Sequence, residues 1–425
     1  MPGSDSKSAD GPSEVGSQEA PTALKAKVVR ASDFIMKLAK ALHTYGMPAH
    51  RLEHALHQIS TRLGVDAPYL VTPTSIIAKI GPANSSKMFL ERVDPGRINL
   101  EKQTELHTLI CDVAGRRLTL EEAGEVVDEL TTRPPTYGRL ATVAGFALAS
   151  ASTSVFFDAG RTEVIAAGTI GLVIGMLVQL AARAPRFAMV LPGAAGLVAV
   201  LIAALVQVVV GPMFSFIAIL AGLIILLPGL NLTIAVNELA HGQLVSGSAR
   251  LGGALMAFIQ IAFGVALGEK VVAWLEIIAA AEPETLPTWI VPGALLVSAV
   301  GMTVLFKART RDFPLILLAA TVSFSGSRIG TLAFGPELGV LLGAWLVGTL
   351  GHLAGRWRNH PSAVGILPGM LLLVPGGLSF TTLSALLSND PVSGIQAGFS
   401  TLLFALSLVT GLLLSSLTSR SHEDF

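Results

Sequence analysis

Charged residues are scarce in most of this sequence. Only 14% of the 425 residues are charged, against about 25% in a typical soluble domain. Residues 1–139 hold 34 of the 58 charges, which leaves too few in the rest of the chain to cover a soluble surface. A single soluble globule is therefore excluded. The composition predicts a polar N-terminal third joined to a membrane-embedded remainder.

Cysteine, basic runs and nucleotide-binding loops are also missing or rare. Cys111 is the only cysteine, which excludes a disulfide framework within the chain and fits a reducing compartment. Net charge is zero and no basic run stands out, so nucleic acid is not an expected partner. The sequence has no Walker loop, dinucleotide-binding glycine loop or nucleophile elbow, which argues against transport driven by ATP on this chain.

The N-terminal third divides into a tail and a small domain. Residues Met1–Thr22 are rich in Ser, Gly, Pro and acidic residues, which predicts a disordered tail rather than a signal peptide. Residues 23–135 predict a compact α+β domain that ends at Pro134-Pro135, with Thr119 and Glu122 as a capping box. Its expected helices are Ala23–Thr44, Pro48–Leu63, Leu100–Ala114 and Leu120–Leu130, and its expected β-runs are Val71–Ile80 and Lys87–Val93.

Residues 136–425 carry long apolar segments. They predict about ten spans of roughly 20 residues each, five in residues 136–280 and five in residues 281–425. The predicted fold is a polytopic all-α membrane protein behind a small α+β cytoplasmic domain. The expected spans are Leu140–Phe157, Val164–Ala182, Ala188–Val210, Phe214–Val236, Leu251–Ile278, Trp289–Phe306, Phe313–Phe334, Leu338–Ala354, Ala363–Leu387 and Ile395–Leu417.

Basic residues are distributed unevenly between the connecting loops. If the N-terminus is cytoplasmic, nine Lys and Arg residues fall on the inside and three on the outside. This is the positive-inside pattern, and it predicts both termini in the cytoplasm and a multi-pass protein of the inner (plasma) membrane. The inside residues are Arg183, Arg186, Arg250, Lys307, Arg309, Arg311, Arg356, Arg358 and Arg420, and the outside residues are Arg161, Lys270 and Arg328.

The two membrane halves resemble each other in sequence. Ser215–Leu255 aligns without gaps on Ser362–Leu402 at an offset of 147, with 12 of 41 positions identical. The matches include Pro228 with Pro375 and the Val-Ser-Gly triplets at 245–247 and 392–394. Because five spans is an odd number, the second half would enter the membrane in the opposite sense. The alignment thus predicts two five-helix inverted repeats, the plan of many secondary transporters; convergent apolar composition is the alternative.

Corresponding spans in the two halves contain a Pro-Gly pair. Backbone groups freed by such a break must be covered by protein or line a cavity, and paired breaks mark the substrate site in transporters. The alternative is a simple kink with hydroxyls bonding back to the helix. The candidate substrate-binding residues at the breaks are Pro228, Gly229, Asn231, Thr233, Asn237, Pro375, Gly376, Ser379, Thr381, Thr382 and Ser384.

Three of the ionisable residues in or beside the spans are functional candidates, because charge there is costly and often functional. Glu238 and His241 stand one helical turn apart and are candidates for proton coupling. The alternative places both at the cytoplasmic interface in contact with water. Arg328 is a further substrate-binding candidate because its guanidinium matches a carboxylate, although it could equally extend outward to the interface.

In the predicted N-terminal domain, His50-Arg51-Leu52-Glu53-His54 spells H-x-x-E-H, a pattern of one class of zinc peptidase. On a helix, His50, His54 and His57 share a face opposite the apolar residues, so a solvated face is the simpler interpretation. No third ligand is identifiable in the sequence, although Glu121, Glu122 and Glu125 are candidates. A membrane-anchored hydrolase remains an alternative, but no metal or other cofactor is expected.

Several motifs together resemble the threonine/serine exporter (ThrE-type) family. They are Tyr45–Glu53, Pro228-Gly229 followed by Asn237-Glu238-Leu239, Leu244–Leu251, and Leu372–Gly376 followed by Ser384-Ala385-Leu386. The resemblance runs from about Asp33 to about Leu417. It implies a cytoplasmic domain followed by ten spans in two halves, and export of small hydroxy amino acids driven by the proton gradient. The family motif maps onto Tyr45, Gly46, Arg51 and Glu53, whereas His54 is not part of it.

These expectations combine into one prediction, a secondary transporter that exports threonine or serine across the inner membrane by alternating access. It is not expected to be an enzyme. Its expected partners are the lipid bilayer, a small amino-acid substrate and protons, and homo-oligomerisation is left open. A passive small-solute channel is the remaining alternative.

Overall fold

The computed structural model describes residues 19–81, 86–94, 96, 98–275, 285–358, 360–373 and 391–418 of the chain. In these residues an N-terminal α+β domain precedes a large set of apolar helices. The domain contains helices α1 (Glu19–Thr44), α2 (Ala49–Leu63), α3 (Leu100–Ala114) and α4 (Leu120–Thr132), and strands β1 (Tyr69–Thr72), β2 (Ser75–Ile80) and β3 (Lys87–Arg92). The first turn of α1 thus overlaps the stretch predicted as a tail.

The N-terminal domain forms its own apolar core. Phe34, Ile35, Leu38 and Leu42, which recur at helical spacing along α1, are buried in it. The capping box of α4 is confirmed, because the Thr119 hydroxyl accepts from the Glu122 amide while the Glu122 carboxylate accepts from the Thr119 amide. Local sequence signals therefore positioned these helices well.

The predicted β-run Val71–Ile80 was wrong in one respect, because it is two strands rather than one. The three strands form an antiparallel sheet in the order β1-β2-β3. Between β1 and β2 the chain turns at Pro73 and Thr74, and the Thr72 hydroxyl accepts a hydrogen bond from the Ser75 amide at 2.9 Å. A side-chain oxygen that bonds the backbone in this way favours a turn over a continuous strand.

Apolar helices make up the rest of the described chain. Large apolar side chains such as Leu205, Phe263 and Leu332 remain 60%, 65% and 81% exposed on them, as expected of a lipid-facing surface. The helices are α5 (Arg139–Phe156), α6 (Arg161–Ala181), α7 (Pro185–Val209), α8 (Ser215–Leu223), α9 (Gly229–Ala240), α10 (Leu244–Trp274), α11 (Val291–Leu305), α12 (Phe313–Phe334), α13 (Pro336–Arg358), α14 (Ala363–Leu373) and α15 (Pro391–Thr418).

Within the described ranges, eight helices are long and apolar enough to cross a membrane. The other two predicted spans fall on shorter helices. Phe214–Val236 is divided into α8 and α9, and Ala363–Leu387 begins as α14 and leaves the described residues after Leu373. The protein is therefore a polytopic membrane protein, and the total of ten spans stays a prediction.

The Pro-Gly pairs differ in their effect on the helices. The chain leaves α8 after Leu223 and starts α9 at Gly229, so the span does break at Pro228. Pro192 and Pro368, in contrast, lie inside continuous helices, and Pro292 lies in the first turn of α11. Pro375 and Gly376 lie outside the described residues.

Two pairs of glycines at the 147-residue offset have similar surroundings. The Gly222 carbonyl in α8 accepts from the Ser150 hydroxyl at 3.2 Å, and the Gly369 carbonyl in α14 accepts from the Ser323 hydroxyl at 2.7 Å. Gly264 in α10 lies against the backbone of α7, and Gly411 in α15 lies against the backbone of α13. The second pair lies beyond the aligned segments, which end at Leu255 and Leu402.

Candidate functional site at the domain junction

Glu238 lies at the end of α9 and is fully buried. Its Oε1 accepts a hydrogen bond from the Ala49 amide at 3.0 Å, and its Oε2 accepts one from the Ser246 hydroxyl at 2.8 Å. Ala49 is the first residue of α2, in the N-terminal domain, whereas Ser246 lies in α10. One carboxylate from a membrane helix therefore joins the two parts of the protein.

Arg250 of α10 supplies the positive charge opposite Glu238. Its Nε lies 3.1 Å from Oε1 and 3.0 Å from Oε2 of the carboxylate. The Arg250 side chain is 15% exposed and that of Glu238 is 0% exposed, so the pair is largely removed from water. Removing one partner of such a pair leaves an uncompensated buried charge and is strongly destabilising.

The contact at Ala49 depends on how α2 begins. Pro48 precedes the helix and has no side-chain oxygen to cap it. The first amides of a helix lack acceptors within the helix, and the helix dipole favours a negative charge there. Glu238 supplies both the acceptor and the charge, so a residue almost 190 positions away caps α2.

Tyr45 and Gly46 fix the direction in which the chain enters α2. Gly46 has a φ of +90°, which a residue with a side chain rarely adopts, and a Cβ there would lie 2.9 Å from Ile98 Cγ1. The Tyr45 carbonyl accepts from the Asn99 amide at 3.3 Å and from the Gln103 side chain at 2.6 Å. The Tyr-Gly turn therefore binds the start of α3 and leaves the first amide of α2 directed at Glu238.

Two histidines stack beside this contact. The rings of His50 and His241 lie 4.4 Å apart between centroids at an interplanar angle of 14°. Asn237 Nδ2 lies 3.4 Å from His50 Nε2. Burial, together with the charges of Arg51, His241 and Arg250, lowers the pKa of His50 to about 3. His50 is therefore neutral at physiological pH, which suits its stacking on a second imidazole.

Glu53 makes a third connection one turn further along α2. Its Oε1 accepts from the Val71 amide at 2.7 Å, and its Oε2 accepts from the side-chain amide of Gln243, the residue before α10. Burial raises the pKa of Glu53, and these two hydrogen bonds partly offset that rise. Glu53 thus ties β1 to α2 and α2 to α10.

The H-x-x-E-H residues do not converge. His54 and His57 are exposed, whereas His50 faces His241 and Glu53 faces Gln243. In the part of the chain that the structure describes, no group of three His, Cys, Asp or Glu side chains is placed to hold a metal ion. Of the face predicted as solvated, His54 and His57 are in solvent, and His50 forms part of the domain junction.

A second junction joins α3 to the connection between α11 and α12. The Leu100 amide donates to the Phe306 carbonyl at 2.9 Å, and the Glu101 amide donates to the Lys307 carbonyl at 3.1 Å. The unpaired amides at the start of α3 thus bind carbonyls that follow the end of α11. Arg309 also contacts Glu105 at 3.3 Å.

The sequence-predicted site residues occupy several places. Asn237, Glu238 and His241 meet at the domain junction, as described above. Thr233 is fully buried, and its hydroxyl donates to the Gly229 carbonyl of its own helix at 3.1 Å. Asn231 is exposed, and so is Arg328 in α12. Ser379, Thr381, Thr382 and Ser384 lie, with Pro375 and Gly376, outside the described residues.

Sequence reasoning missed the partners at the junction: Ala49, Gln243, Ser246 and Arg250. One signal was available. The motif from Tyr45 to Glu53 and the motif from Asn237 to Leu251 both carried the family resemblance, and they form the two sides of this junction. Two distinctive motifs far apart in a sequence are candidates for contact in space.

An N-terminal domain attached in this way to a bundle of membrane helices, one of them broken, defines a polytopic membrane protein. Comparison with known families agrees. The ThrE model for threonine/serine exporters matches residues 33–272, and a second model, described as "Threonine/Serine exporter, ThrE", matches residues 294–418. The chain belongs to the threonine/serine exporter family.

Two of the curated relatives are fungal membrane proteins of the same name. "Pheromone-regulated membrane protein 10" of Debaryomyces hansenii is 27% identical over 376 residues, which cover 83% of this chain and 36% of the relative. The protein of the same name in Yarrowia lipolytica is 29% identical over 371 residues, which cover 83% of this chain and 30% of the relative. The chain therefore spans about a third of the length of these relatives. No solved structure matches it significantly.

Proposed function

We propose that this protein exports threonine, serine or a similar small hydroxy amino acid across the inner membrane by alternating access, driven by the proton gradient. The observation that carries the proposal is the break between α8 and α9 at Pro228 within a chain of the exporter family. Helix breaks at membrane depth persist where they are covered by protein or line a cavity, and they commonly form transporter substrate sites.

The second half supplies the other side of the proposed substrate site. Pro375-Gly376 stands at the 147-residue offset from Pro228-Gly229, and the similar surroundings of Gly222 and Gly369 support the proposed inverted repeat. Amides and carbonyls at the two breaks would bind the ammonium and carboxylate groups of the substrate. Thr233, Thr381, Thr382 and Ser384 are the candidates for its hydroxyl, and Arg328 for its carboxylate.

Orientation follows from the charge distribution. The excess of Lys and Arg on one side of the predicted spans supports an N-terminal domain and both termini in the cytoplasm. Helix α10 has 31 residues and is about 46 Å long, longer than the roughly 30 Å hydrocarbon core. Its first turns, which carry Ser246 and Arg250, would then project toward the cytoplasmic domain.

Glu238, with His241 beside it, is the proposed carrier of the coupled proton. It is an ionisable residue on the helix that starts at the break, which supports this role. In the docked arrangement both of its oxygens accept hydrogen bonds. A proton would therefore reach the carboxylate after Ala49 and Arg250 have moved away from it.

Transport in proteoliposomes tests the proposal. Labelled threonine and serine should accumulate against their gradient only when a pH gradient is imposed, and collapsing that gradient should abolish accumulation. Equal flux with and without the gradient would instead indicate a passive channel. No flux of any amino acid would contradict the assigned substrate class.

A matched pair of variants tests the proton role. Glu238→Gln should retain flux down a concentration gradient but lose its pH dependence. Arg250→Gln breaks the same ion pair and keeps the carboxylate, so its pH dependence should survive. If Glu238→Gln keeps a normal pH dependence, Glu238 is not the proton carrier.

A further inference from the structure

The N-terminal domain contacts both membrane halves, through different elements. Helix α2 binds the end of α9 and the start of α10 in the first half, through Glu238 and Gln243. Helix α3 binds the connection between α11 and α12 in the second half, through the Phe306 and Lys307 carbonyls. The domain thus bridges two parts of the membrane unit that alternating access requires to move relative to each other.

The two contacts differ in chemistry. The α2 contact contains the carboxylates of Glu238 and Glu53, the guanidinium of Arg250 and the imidazole of His50, all partly or wholly removed from water, with the exposed His241 ring stacked on His50. Charged groups recover favourable hydration when such a contact opens, which lowers the net cost of opening. The α3 contact has one ion pair, between Arg309 and Glu105, and otherwise consists of backbone hydrogen bonds and the apolar cluster that Leu100 forms with Ala299, Met302 and Phe306.

Chain connectivity also holds the α3 side in place. Residues 133–138 lead from α4 directly into α5, and the Tyr137 hydroxyl donates to the Ala308 carbonyl at 2.8 Å. Helix α5 in turn packs closely on α11, where a Cβ at Gly301 would lie 3.1 Å from the Ala149 amide nitrogen. The α3 side of the domain is therefore anchored to α5 and α11, whereas the α2 side is held by side chains.

Helix α9 connects the residue that α2 binds, Glu238, to the helix break at Pro228. Helix α9 has 12 residues and is about 18 Å long, with Pro228 at one end and Glu238 near the other. The helix is well packed, because half of its residues are buried and the Thr233 hydroxyl donates to the Gly229 carbonyl within it. A change in what Glu238 binds therefore acts on the helix that forms one side of the proposed substrate site.

We propose that the N-terminal domain is a releasable clamp: it holds α9 and α10 to the α5–α11 pair while α2 is docked on Glu238, and substrate enters when α2 leaves while α3 stays bound. Glu53, Gln243, Ala49 and Arg250 are positioning residues of this clamp. The proposal rests on alternating access from the proposed function, and adds which contact opens.

Reversible cross-linking of each contact tests the clamp. In a Cys111→Ser background, Glu53→Cys with Gln243→Cys places two thiols at the α2 contact, and Glu105→Cys with Arg309→Cys places two at the α3 contact. A short bis-methanethiosulfonate reagent links either pair, and a reductant releases it. Each protein serves as its own control before linking and after reduction.

Locking α2 should lower export in proteoliposomes at least tenfold, and reduction should restore it. Locking α3 should change export less than twofold. Export that continues at an undiminished rate with α2 locked would overturn the proposal, and so would an equal block from both locks.

A distance measurement tests the clamp without transport, so its failure can be told apart from failure of the proposed function. Spin labels at His57→Cys and Ser248→Cys, both exposed positions, report the α2 contact, and labels at Thr108→Cys and Arg311→Cys report the α3 contact. The first pair should show a second, longer distance that Glu238→Gln enriches, and the second pair a single one. A single distance for the first pair in both proteins would overturn the proposal.

Discussion

The two membrane halves share packing positions but differ where the first half meets the N-terminal domain. Gly222 and Gly264 have counterparts in Gly369 and Gly411, each in close contact with a neighbouring helix. At the same 147-residue offset, however, alanines 385 and 397 stand where the first half has the glutamate and arginine of the ion pair. In the proposed repeat, the shared glycines therefore belong to the common scaffold, whereas Glu238 and Arg250 are specific to the half that docks on the N-terminal domain.

An inverted arrangement explains why only one half needs the ion pair. Under the proposed topology, the counterpart of the α9 end would face the opposite side of the membrane, away from the N-terminal domain. Buried charges without partners are costly, so an uncharged alanine suits positions that, under this topology, do not meet the N-terminal domain. The comparison predicts that scaffold mutations act alike in both halves and that docking mutations act in the first half alone.

The largest effects are expected at the shared glycines. A Cβ at Gly264 would lie 1.9 Å from the Gly193 carbonyl oxygen, and one at Gly411 would lie 2.4 Å from the Leu341 carbonyl oxygen. Gly264→Leu and Gly411→Leu should therefore each destabilise the protein by about 3 kcal/mol or more, measured as loss of monodisperse protein and a lower Tm. Gly253→Leu, at a position with open space around it, is the control. Tolerance of one glycine variant alone would contradict equivalent packing.

Removing Arg250 should have the next largest effect. Arg250→Ala leaves Glu238 buried without its cation, which costs about 3–5 kcal/mol. Hydrogen exchange of the first α2 amides should report this as easier local opening. The double variant Glu238→Ala with Arg250→Ala should recover part of the loss, because no unpaired charge remains. Arg328→Ala removes an exposed arginine and is the control. It should change the free energy of opening of α2 by less than about 0.5 kcal/mol. Equal effects of the two arginine variants would contradict a stabilising buried pair of Arg250 and Glu238.

Local features of the fold were predictable, and the junction was not. The Thr119 and Glu122 capping box depends on residues three positions apart, so sequence alone located it. The break at Pro228 was likewise predictable from the residue that makes it. In contrast, Glu238, which caps the start of α2, and Gln243, one of the two partners of Glu53, lie more than 180 positions away from the residues they contact. Periodicity carries no information about such pairs.

The role of Glu238 shows the same limit. The sequence predicts that Glu238 and His241 lie one helical turn apart and could share a proton. In the structure they face different partners, since Glu238 binds Arg250 while His241 stacks on His50. The alternative of a water-exposed pair holds for His241, which is exposed, but is wrong for Glu238, which is buried. Only the position of a second domain distinguishes the two residues.

Acidification should weaken the docking of α2 on the membrane helices through protonation of His50, and this effect should be smaller than that of removing Arg250. The docked arrangement lowers the pKa of His50 to about 3, whereas a free histidine has a pKa near 6.5. The undocked state therefore binds more protons than the docked state between these two pH values. The contribution of His50 to docking is complete above about pH 6.5 and is lost as the pH falls below it. The equilibrium constant for docking should fall by at most about tenfold per pH unit.

Exchange of the α2 amides between pH 7.5 and 5.5, corrected for intrinsic exchange, measures this dependence. Other ionisable groups face the same contact, so a variant must isolate His50. They are His43, Arg51, Glu53, Glu238, His241 and Arg250. His50→Gln should flatten the profile below pH 6.5. A profile that remains as steep in His50→Gln would assign the titration to one of the other groups.

The smallest effect is expected at the other two histidines of α2. His54 and His57 are exposed, and the His54 ring contacts the side-chain amide of Gln58 one turn further along α2. His54→Ala and His57→Ala should each change stability by less than about 0.5 kcal/mol and leave export unchanged, whereas His50→Ala should loosen α2. Metal analysis of the purified protein completes the test: stoichiometric zinc that is lost in His54→Ala would restore the hydrolase interpretation of the H-x-x-E-H motif, because a solvated face holds no structural metal.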